Sequence, residues 1–304
     1  MAGSTSNLGA GFDCVGVAVG RSLRLTARAS RRSASETVPR GATVTIEHHG
    51  TLRALDTPPE RDLLYGGFVA ACRAAGREVP GGLTLTAESD IPVARGLGSS
   101  AAATVAGAAA AAALLALDVG RDALAALCTE LEGHPDNVAP AIYGGATLVL
   151  GSPAGLVIAP LAVHESLALV FAVPEFTLET TRARAVLPKT VPYQQAVEAA
   201  AKSAALVQGL AHGDLRLLAA GLDDVLHVPY RRGLVPGYDD VTAAARRAGA
   251  CGATLSGSGP TVVAIGPAGC AARVGAAMVA AWRARNVTVE SFELTRPAGG
   301  YDVV

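Results

Sequence analysis

The chain has 304 residues, half of them hydrophobic and 17% charged, with 25 Lys and Arg against 26 Asp and Glu for a formal net charge of −1. That length suits one large or two ordinary domains with ample core. So even a charge balance argues against a nucleic-acid or acidic-membrane partner read through a basic face, and the pairs Arg31-Arg32 and Arg231-Arg232 are local features. The five cysteines (14, 72, 128, 251 and 270) are odd in number and lack CxxC spacing. They read as reduced, packed thiols that imply no metal site. No basic segment leads into an apolar stretch at the N-terminus, so no signal peptide is expected and the cytoplasm is the default.

In chain order, Met1–Gly11 is small and polar and reads as a loop. Val15–Ala27 alternates as a long strand, Ser30–Arg40 is a polar loop, and Ala42–His48 alternates as a second strand. Pro58-Pro59-Glu60 opens an amphipathic helix that runs to Gly76. Leu83–Ala87 alternates and ends at Asp90-Ile91-Pro92, so a strand delivers the chain into Pro92-Val93-Ala94-Arg95-Gly96-Leu97-Gly98-Ser99-Ser100-Ala101-Ala102. Glycines 96 and 98 let the backbone turn tightly and approach a ligand. Ser99 and Ser100 stand where the helix-forming run Ala101–Leu117 begins. The first amides of such a helix lack internal partners and carry the positive end of its dipole, which makes a phosphate site. The run is mostly alanine and barely long enough to cross a membrane, so a buried helix is the better reading.

Arg121–Leu131 reads as another helix. Glu130–Ala141 then gathers acids, a histidine and an amide within eight positions, ahead of Gly144-Gly145 and a strand over Ala146–Leu150. The turn-rich Gly151–Gly155 suggests a boundary between domains 1–151 and 152–304. Beyond it come strands near Val157 and over Leu167–Val173, and helices over Tyr193–Gly209, Leu215–Leu222 and Tyr238–Arg247. A strand over Thr261–Ile265, a helix over Ala268–Arg285 and a closing strand over Val287–Leu294 complete an α+β architecture without internal repeats.

The glycine loop is no Walker A motif, since no Lys separates its glycines from Ser99, and the third glycine of a dinucleotide fingerprint is missing. With Ser4–Asp13 before it and Gly252-Ala253-Thr254-Leu255-Ser256-Gly257-Ser258-Gly259-Pro260-Thr261 after it, it resembles the three ordered motifs of the GHMP kinases. The resemblance implies a two-domain α+β fold, with a ribosomal-protein-like N-terminal domain, a ferredoxin-like C-terminal domain and the site in the cleft between them. It also implies ATP and Mg²⁺. ATP would be held by Pro92, Arg95, Gly96, Leu97, Gly98, Ser99, Ser100, Ala101 and Ala102. Asp62 would join them, aligned where the family often has Asn near adenine. Magnesium, a hard cation that takes oxygen ligands, would fall to Glu132 with the Ser99 or Ser100 hydroxyl, and Glu130 is the second choice.

Within that superfamily, Gly133-His134-Pro135-Asp136-Asn137-Val138-Ala139-Pro140 is similar to the homoserine kinases. The similarity places Asn7, Asp13, His134, Asn137 and Gly257 on the amino-acid substrate. Thr180–Pro188 contributes Thr180 and Arg184, and Tyr230–Gly237 contributes Arg231. Two arginines suit an α-carboxylate gripped by charge-assisted bonds, and Asp13 suits either the ammonium or the hydroxyl. Asn137 stands where mevalonate-type relatives place an Asp base. Catalysis is therefore expected to rest on orientation and charge stabilisation by Asn137, Arg184 and Thr180.

The implied activity is ATP-dependent phosphorylation of L-homoserine on the way to threonine, and the resemblance is compatible with a homodimer. The alternatives are another GHMP small-molecule kinase and a non-catalytic sensor, which should have lost the phosphate loop or its acid. Taken singly, His134 reads as a helix cap, Arg184 and Arg231 as surface charges, and Asn7 and Asp13 as turn formers. Three features depart from the family pattern. The usual Pro-Ala-Ser strand before the first motif is replaced by Met1-Ala2-Gly3-Ser4, so the chain is expected to start upstream or to lack that edge strand. Glu132 and His134 are only two residues apart, and Asp62 lacks the amide donor of Asn.

Overall fold

A computed structural model describes residues 1–30, 44–152 and 155–304. The expected loop over 31–40 and the first residues of the expected strand at 42 lie outside the described residues. The elements run β1 (Ala2–Ser6), β2 (Val15–Ala29), β3 (Val44–Gly50), α1 (Leu63–Ala74), β4 (Leu83–Ser89), α2 (Ser99–Leu114), α3 (Arg121–Glu132) and α4 (Val138–Tyr143). Next come β5 (Ala146–Ser152), β6 (Gly155–Leu161), β7 (Leu167–Pro174), α5 (Thr180–Ala185), α6 (Tyr193–His212) and α7 (Leu215–Leu222). The chain closes with α8 (Val228–Arg231), α9 (Tyr238–Arg247), β8 (Gly252–Leu255), β9 (Val262–Pro267), α10 (Ala271–Arg283) and β10 (Val289–Leu294).

The first sheet has the order β3-β4-β2-β5-β6, with β3 and β4 parallel and the other pairs antiparallel. Strand β1 pairs antiparallel with β2 from Gly16 to Ser22, and β4 takes the same edge further along, from Leu23 to Ala29. Two expectations are corrected here. Met1–Gly11 is not all loop, because Ala2–Ser6 is a fully buried strand that pairs with β2 and runs into the first motif. Gly151 and Ser152 end β5 and pair with Leu156 and Gly155 of β6, so β6 extends the first sheet and the chain passes to the second only after Leu161. A Gly- and Pro-rich stretch looks the same locally whether the sheet continues past it or ends there.

The second sheet, antiparallel throughout, has the order β10-β7-β9-β8. All eight residues of β7 are buried because both faces are covered. Leu167, Leu169, Phe171 and Val173 pack with the core that includes α2 and α6–α7, while Ala168, Val170 and Ala172 face α9 and α10. Two cores therefore meet back to back on a single sheet.

Helix α2 runs through the middle of the first core, against α1, α3, α4, β1 and β2, and alanines allow the close approach on every side. No helix among the described residues is long and apolar enough to cross a membrane. The α1–α2 contact is backbone against backbone. A Cβ on Gly107 would lie 1.9 Å from the Leu64 carbonyl oxygen, and one on Gly67 would lie 2.1 Å from that of Thr104. Ala normally gains about 1 kcal/mol over Gly inside a helix. Here no rotamer can relieve the clash, and overpacking of about 1–3 kcal/mol should win. Gly107→Ala should therefore lower the denaturation midpoint. Gly66→Ala in α1, where a Cβ meets nothing within 4 Å, should leave it unchanged or raise it. Equal responses in urea melts would contradict this packing.

Candidate active site

A cavity of about 320 Å³ opens between the two sheets. On one side the strand β4 hands the chain to the glycine loop and α2. Gly96 and Gly98 have φ of +75° and +70°, and their backbones pack so tightly that a Cβ would fall 2.1 Å from Ser256 O and from Ser4 Oγ respectively. Helix α2 starts from Gly98 with no side-chain cap, so the amides of its first turn are free to meet an anion. Ser99, Ser100 and Ala101 line the cavity with Arg95, Gly96 and Gly98. Leu97 and Ala102 belong to the same loop, but their side chains are buried in the core, and Pro92 lies in a second groove behind the loop.

Helix α3 ends at Gly133, left-handed at φ +77°, and presents Glu132 to the loop. Its carboxylate accepts the Ser100 hydroxyl at 2.8 and 2.9 Å and the Thr104 hydroxyl at 2.6 Å. Of the two candidate hydroxyls, that of Ser100 lies against the acid, while Ser99 remains on the cavity wall. Glu130 is exposed and off the wall, which leaves Glu132 as the acid at the loop. No group of three or more His, Cys, Asp or Glu suited to a metal occurs among the described residues. One carboxylate beside a hydroxyl and a phosphate cradle is nonetheless a fitting donor set for Mg²⁺, which keeps several waters and uses few protein ligands.

Asp62 is elsewhere. It is buried, its Oδ1 accepts the Leu64 N–H at 2.9 Å to cap α1, and its Oδ2 lies 2.9 Å from His48 Nε2. Both oxygens are engaged inside the protein and the residue does not line the cavity.

The opposite wall is built from both halves of the chain. Asn7 lines it, and its Oδ1 accepts the Asp13 N–H at 2.9 Å, which folds the loop between β1 and β2 on itself. Asp13 stands at the rim in a forked ion pair with Arg184, at 2.9 and 3.3 Å. Arg184 and Thr180 sit on α5, and the Thr180 hydroxyl lies 3.3 Å from that of Ser258. Gly257, at φ +59°, is pinned by its N–H to Ser6 O at 2.8 Å. Ala94, Thr181 and Ser258 also line the cavity. Sequence reasoning missed these three, although Ser258 lies inside the quoted Gly-Ser-Gly stretch and Ala94 inside the glycine loop.

Asn137 and His134 come from the turn before α4. Asn137 Oδ1 accepts the Ser4 hydroxyl at 2.9 Å and its Nδ2 donates to Ser6 Oγ at 2.8 Å, so its amide is tied to β1 and is no base. Arg231 is 1% exposed yet lines the cavity. It donates from Nε to the Ala183 carbonyl at 3.1 Å and forms no ion pair among the described residues. Burial and the neighbouring Arg184 charge lower its pKa to about 10.

Burial alone would lower the pKa of His134. The Asp136 carboxylate, hydrogen-bonded to His134 Nδ1 at 2.8 Å, outweighs that, and the net shift is upward. A histidine with a raised pKa adds stability that is complete below the unfolded value of 6.5 and is lost as pH rises through the folded pKa. The stability advantage of the wild type over His134→Gln should therefore shrink as denaturation is repeated at increasing pH. A constant or growing difference would contradict the ion pair.

The sequence matches the GHMP kinases N terminal domain over residues 62–145 and the GHMP kinases C terminal region over residues 206–284. It is 43% identical over 284 residues to the homoserine kinase of Gloeobacter violaceus, covering 92% of this chain and 90% of that protein. It is 40% identical over 291 residues to that of Moorella thermoacetica, covering 96% and 94%. The crystal structure of homoserine kinase from Cytophaga hutchinsonii superposes with a TM-score of 0.85 at 31% identity, over 98% of this chain and 94% of that one. L. major mevalonate kinase in complex with R-mevalonate superposes with a TM-score of 0.69 at 17% identity over 98% and 95%, a likeness of fold alone. With relatives this similar over nearly its whole length, the chain belongs to the homoserine kinase family of the GHMP kinases.

Proposed function

We propose that this cleft transfers the γ-phosphoryl group of ATP to the terminal hydroxyl of L-homoserine, giving ADP and O-phospho-L-homoserine on the way to threonine. One observation carries the reading. Arg231 is a buried cation on the cavity wall with no carboxylate partner among the described residues, and it stands near a second arginine. A buried charge needs compensation, and here it has to come from the ligand. The α-carboxylate of an amino acid supplies it, gripped by Arg231 and Arg184. Of the carboxylates at the cleft, Asp136 is buried and Glu132 is at the phosphate end, which leaves Asp13 for the ammonium group.

The phosphates of ATP lie against the uncapped start of α2 and the Gly96–Ser100 backbone. Glu132 and Ser100 are the residues that would hold Mg²⁺, and the ion would offset charge on the transferring phosphoryl group. Arg95, unpaired among the described residues, adds a further cation there. The acceptor hydroxyl is oriented by Asn7, His134 and Thr180. No side chain serves as a strong base, since Asn137 cannot take a proton and is held by β1. A loose phosphoryl transfer depends chiefly on position and charge, so none is required. The reaction belongs in the cytoplasm.

Charge-assisted hydrogen bonds contribute about 1.5–3 kcal/mol. Arg184→Ala should accordingly raise KM for homoserine by about tenfold or more while KM for ATP stays within about twofold. An equal rise in both, or in neither, would remove Arg184 from the substrate. Glu132→Gln should cut kcat by about a hundredfold or more and raise the magnesium needed for half-maximal rate. A variant with unaltered kcat and magnesium dependence would take Glu132 out of the metal site.

A further inference from the structure

His227 stands just ahead of α8, and its sequence neighbourhood gave no sign of a role. Its ring is fully buried and stacked on Phe12, with centroids 4.9 Å apart and an 18° tilt. Nε2 lies 3.1 Å from the carbonyl oxygen of Gly9, in the first-motif loop, and Nδ1 lies 3.4 Å from Nη1 of Arg231. A carbonyl only accepts and a guanidinium only donates. The two partners therefore fix the tautomer, with the proton on Nε2 and the lone pair of Nδ1 facing Arg231. The lone pair that Nδ1 offers the guanidinium makes the ring neutral, and burial with the Arg231 charge lowers its pKa in the same sense, against the opposing Asp224 carboxylate. Asp224 spends its Oδ2 on the N–H groups of His227 and Val228, both at 2.7 Å, and its Oδ1 on that of Leu226 at 3.0 Å.

We propose that neutral His227 is a positioning residue for substrate, tying the Gly9 loop to Arg231 and setting the plane in which the guanidinium meets the ligand's carboxylate. Arg231 has three anchors: the Ala183 carbonyl on Nε, His227 on Nη1, and the Phe12 ring, 5.1 Å from its Cζ. Nη2 has no protein acceptor among the described residues and is left for a ligand. His227 is one of those anchors and supports a second, because its ring stacks on the same Phe12 that lies under the guanidinium. Loss of its hydrogen bonds frees Arg231 to rotate about its remaining contacts and unpairs a buried carbonyl. The inference rests on reading Arg231 as the carboxylate holder.

Two substitutions separate positioning from packing. His227→Phe keeps a ring on Phe12 but removes both hydrogen bonds, whereas His227→Gln carries one donor and one acceptor that can restore them. Steady-state kinetics should show KM for homoserine raised by about tenfold or more in the Phe variant. KM for ATP should stay within about twofold, and the Gln variant should stay within about threefold of wild type in both. An unchanged KM for homoserine in the Phe variant, a parallel rise in both constants, or a Gln variant as impaired as the Phe variant would each overturn the inference. If circular dichroism shows the Phe variant unfolded, the Gln variant decides: near-wild-type KM supports the role and a tenfold rise refutes it. A wild-type enzyme with no homoserine-dependent turnover would overturn the proposed function and this inference together. An active wild type with indifferent variants overturns this one alone.

Discussion

Three consecutive hydroxyls, on Ser4, Thr5 and Ser6, hold the cleft together from inside. Side chains alternate along a strand, so Ser4 and Ser6 face one way and meet the two ends of the Asn137 amide. Thr5 faces the other way and meets Ser256 at 2.8 Å. Ser256 in turn donates to the Gly96 carbonyl at 2.6 Å, which leaves Thr5 as the donor to Ser256. The strand backbone adds Ser4 N–H to Leu97 O at 3.0 Å and accepts the Gly257 N–H on Ser6 O. Four segments far apart in the chain are thereby fixed to one short buried strand: the phosphate loop, the turn before α4, the Gly-Ser-Gly loop and β2. Each hydroxyl bond adds only about 1 kcal/mol, but a buried hydroxyl left unpaired costs more than that. The arrangement therefore disfavours any alternative in which one loop drifts away.

On that frame the cleft acquires two ends of opposite character. The phosphate end has free amides, a helix dipole and one acid at the loop. The other end has two arginines, one paired with Asp13 and one with no ion pair among the described residues. The Arg184–Asp13 pair joins the loop after β1 to α5, and so the first half of the chain to the second. Both members are over a third exposed, so the pair adds little to stability and acts mainly by holding two side chains in register. Arg231 differs because it is buried and has no carboxylate partner among the described residues, which makes it the stronger demand for an anion.

What could be read from the sequence follows from how local each signal is. The glycine loop was legible because Gly96, Gly98 and the serines before an alanine run declare a tight turn into a helix within a few residues. Pairing with β2, by contrast, makes Ala2–Ser6 a strand without hydrophobic alternation, and its polar side chains are buried because partners up to 251 positions away satisfy them. The Gly- and Pro-rich composition of Gly151–Gly155 was visible, but only the pairing of β5 with β6 shows that the first sheet continues past it. Asp62 caps α1 as the local rule for an Asp ahead of a helix implies. His227 gave no local signal, since its meaning lies in Gly9, Phe12 and Arg231.

The proposed reaction requires the cleft to accept an amino acid that bears a terminal hydroxyl. The most direct measurement is ADP release from ATP and magnesium, coupled to a spectrophotometric readout, with L-homoserine, mevalonate, L-serine or no acceptor. The unpaired Arg231 and the Asp13 carboxylate predict release that depends on L-homoserine, with mevalonate failing for want of an ammonium group and L-serine for want of reach. Mevalonate turnover matching that of L-homoserine, or release indifferent to the acceptor, would contradict it.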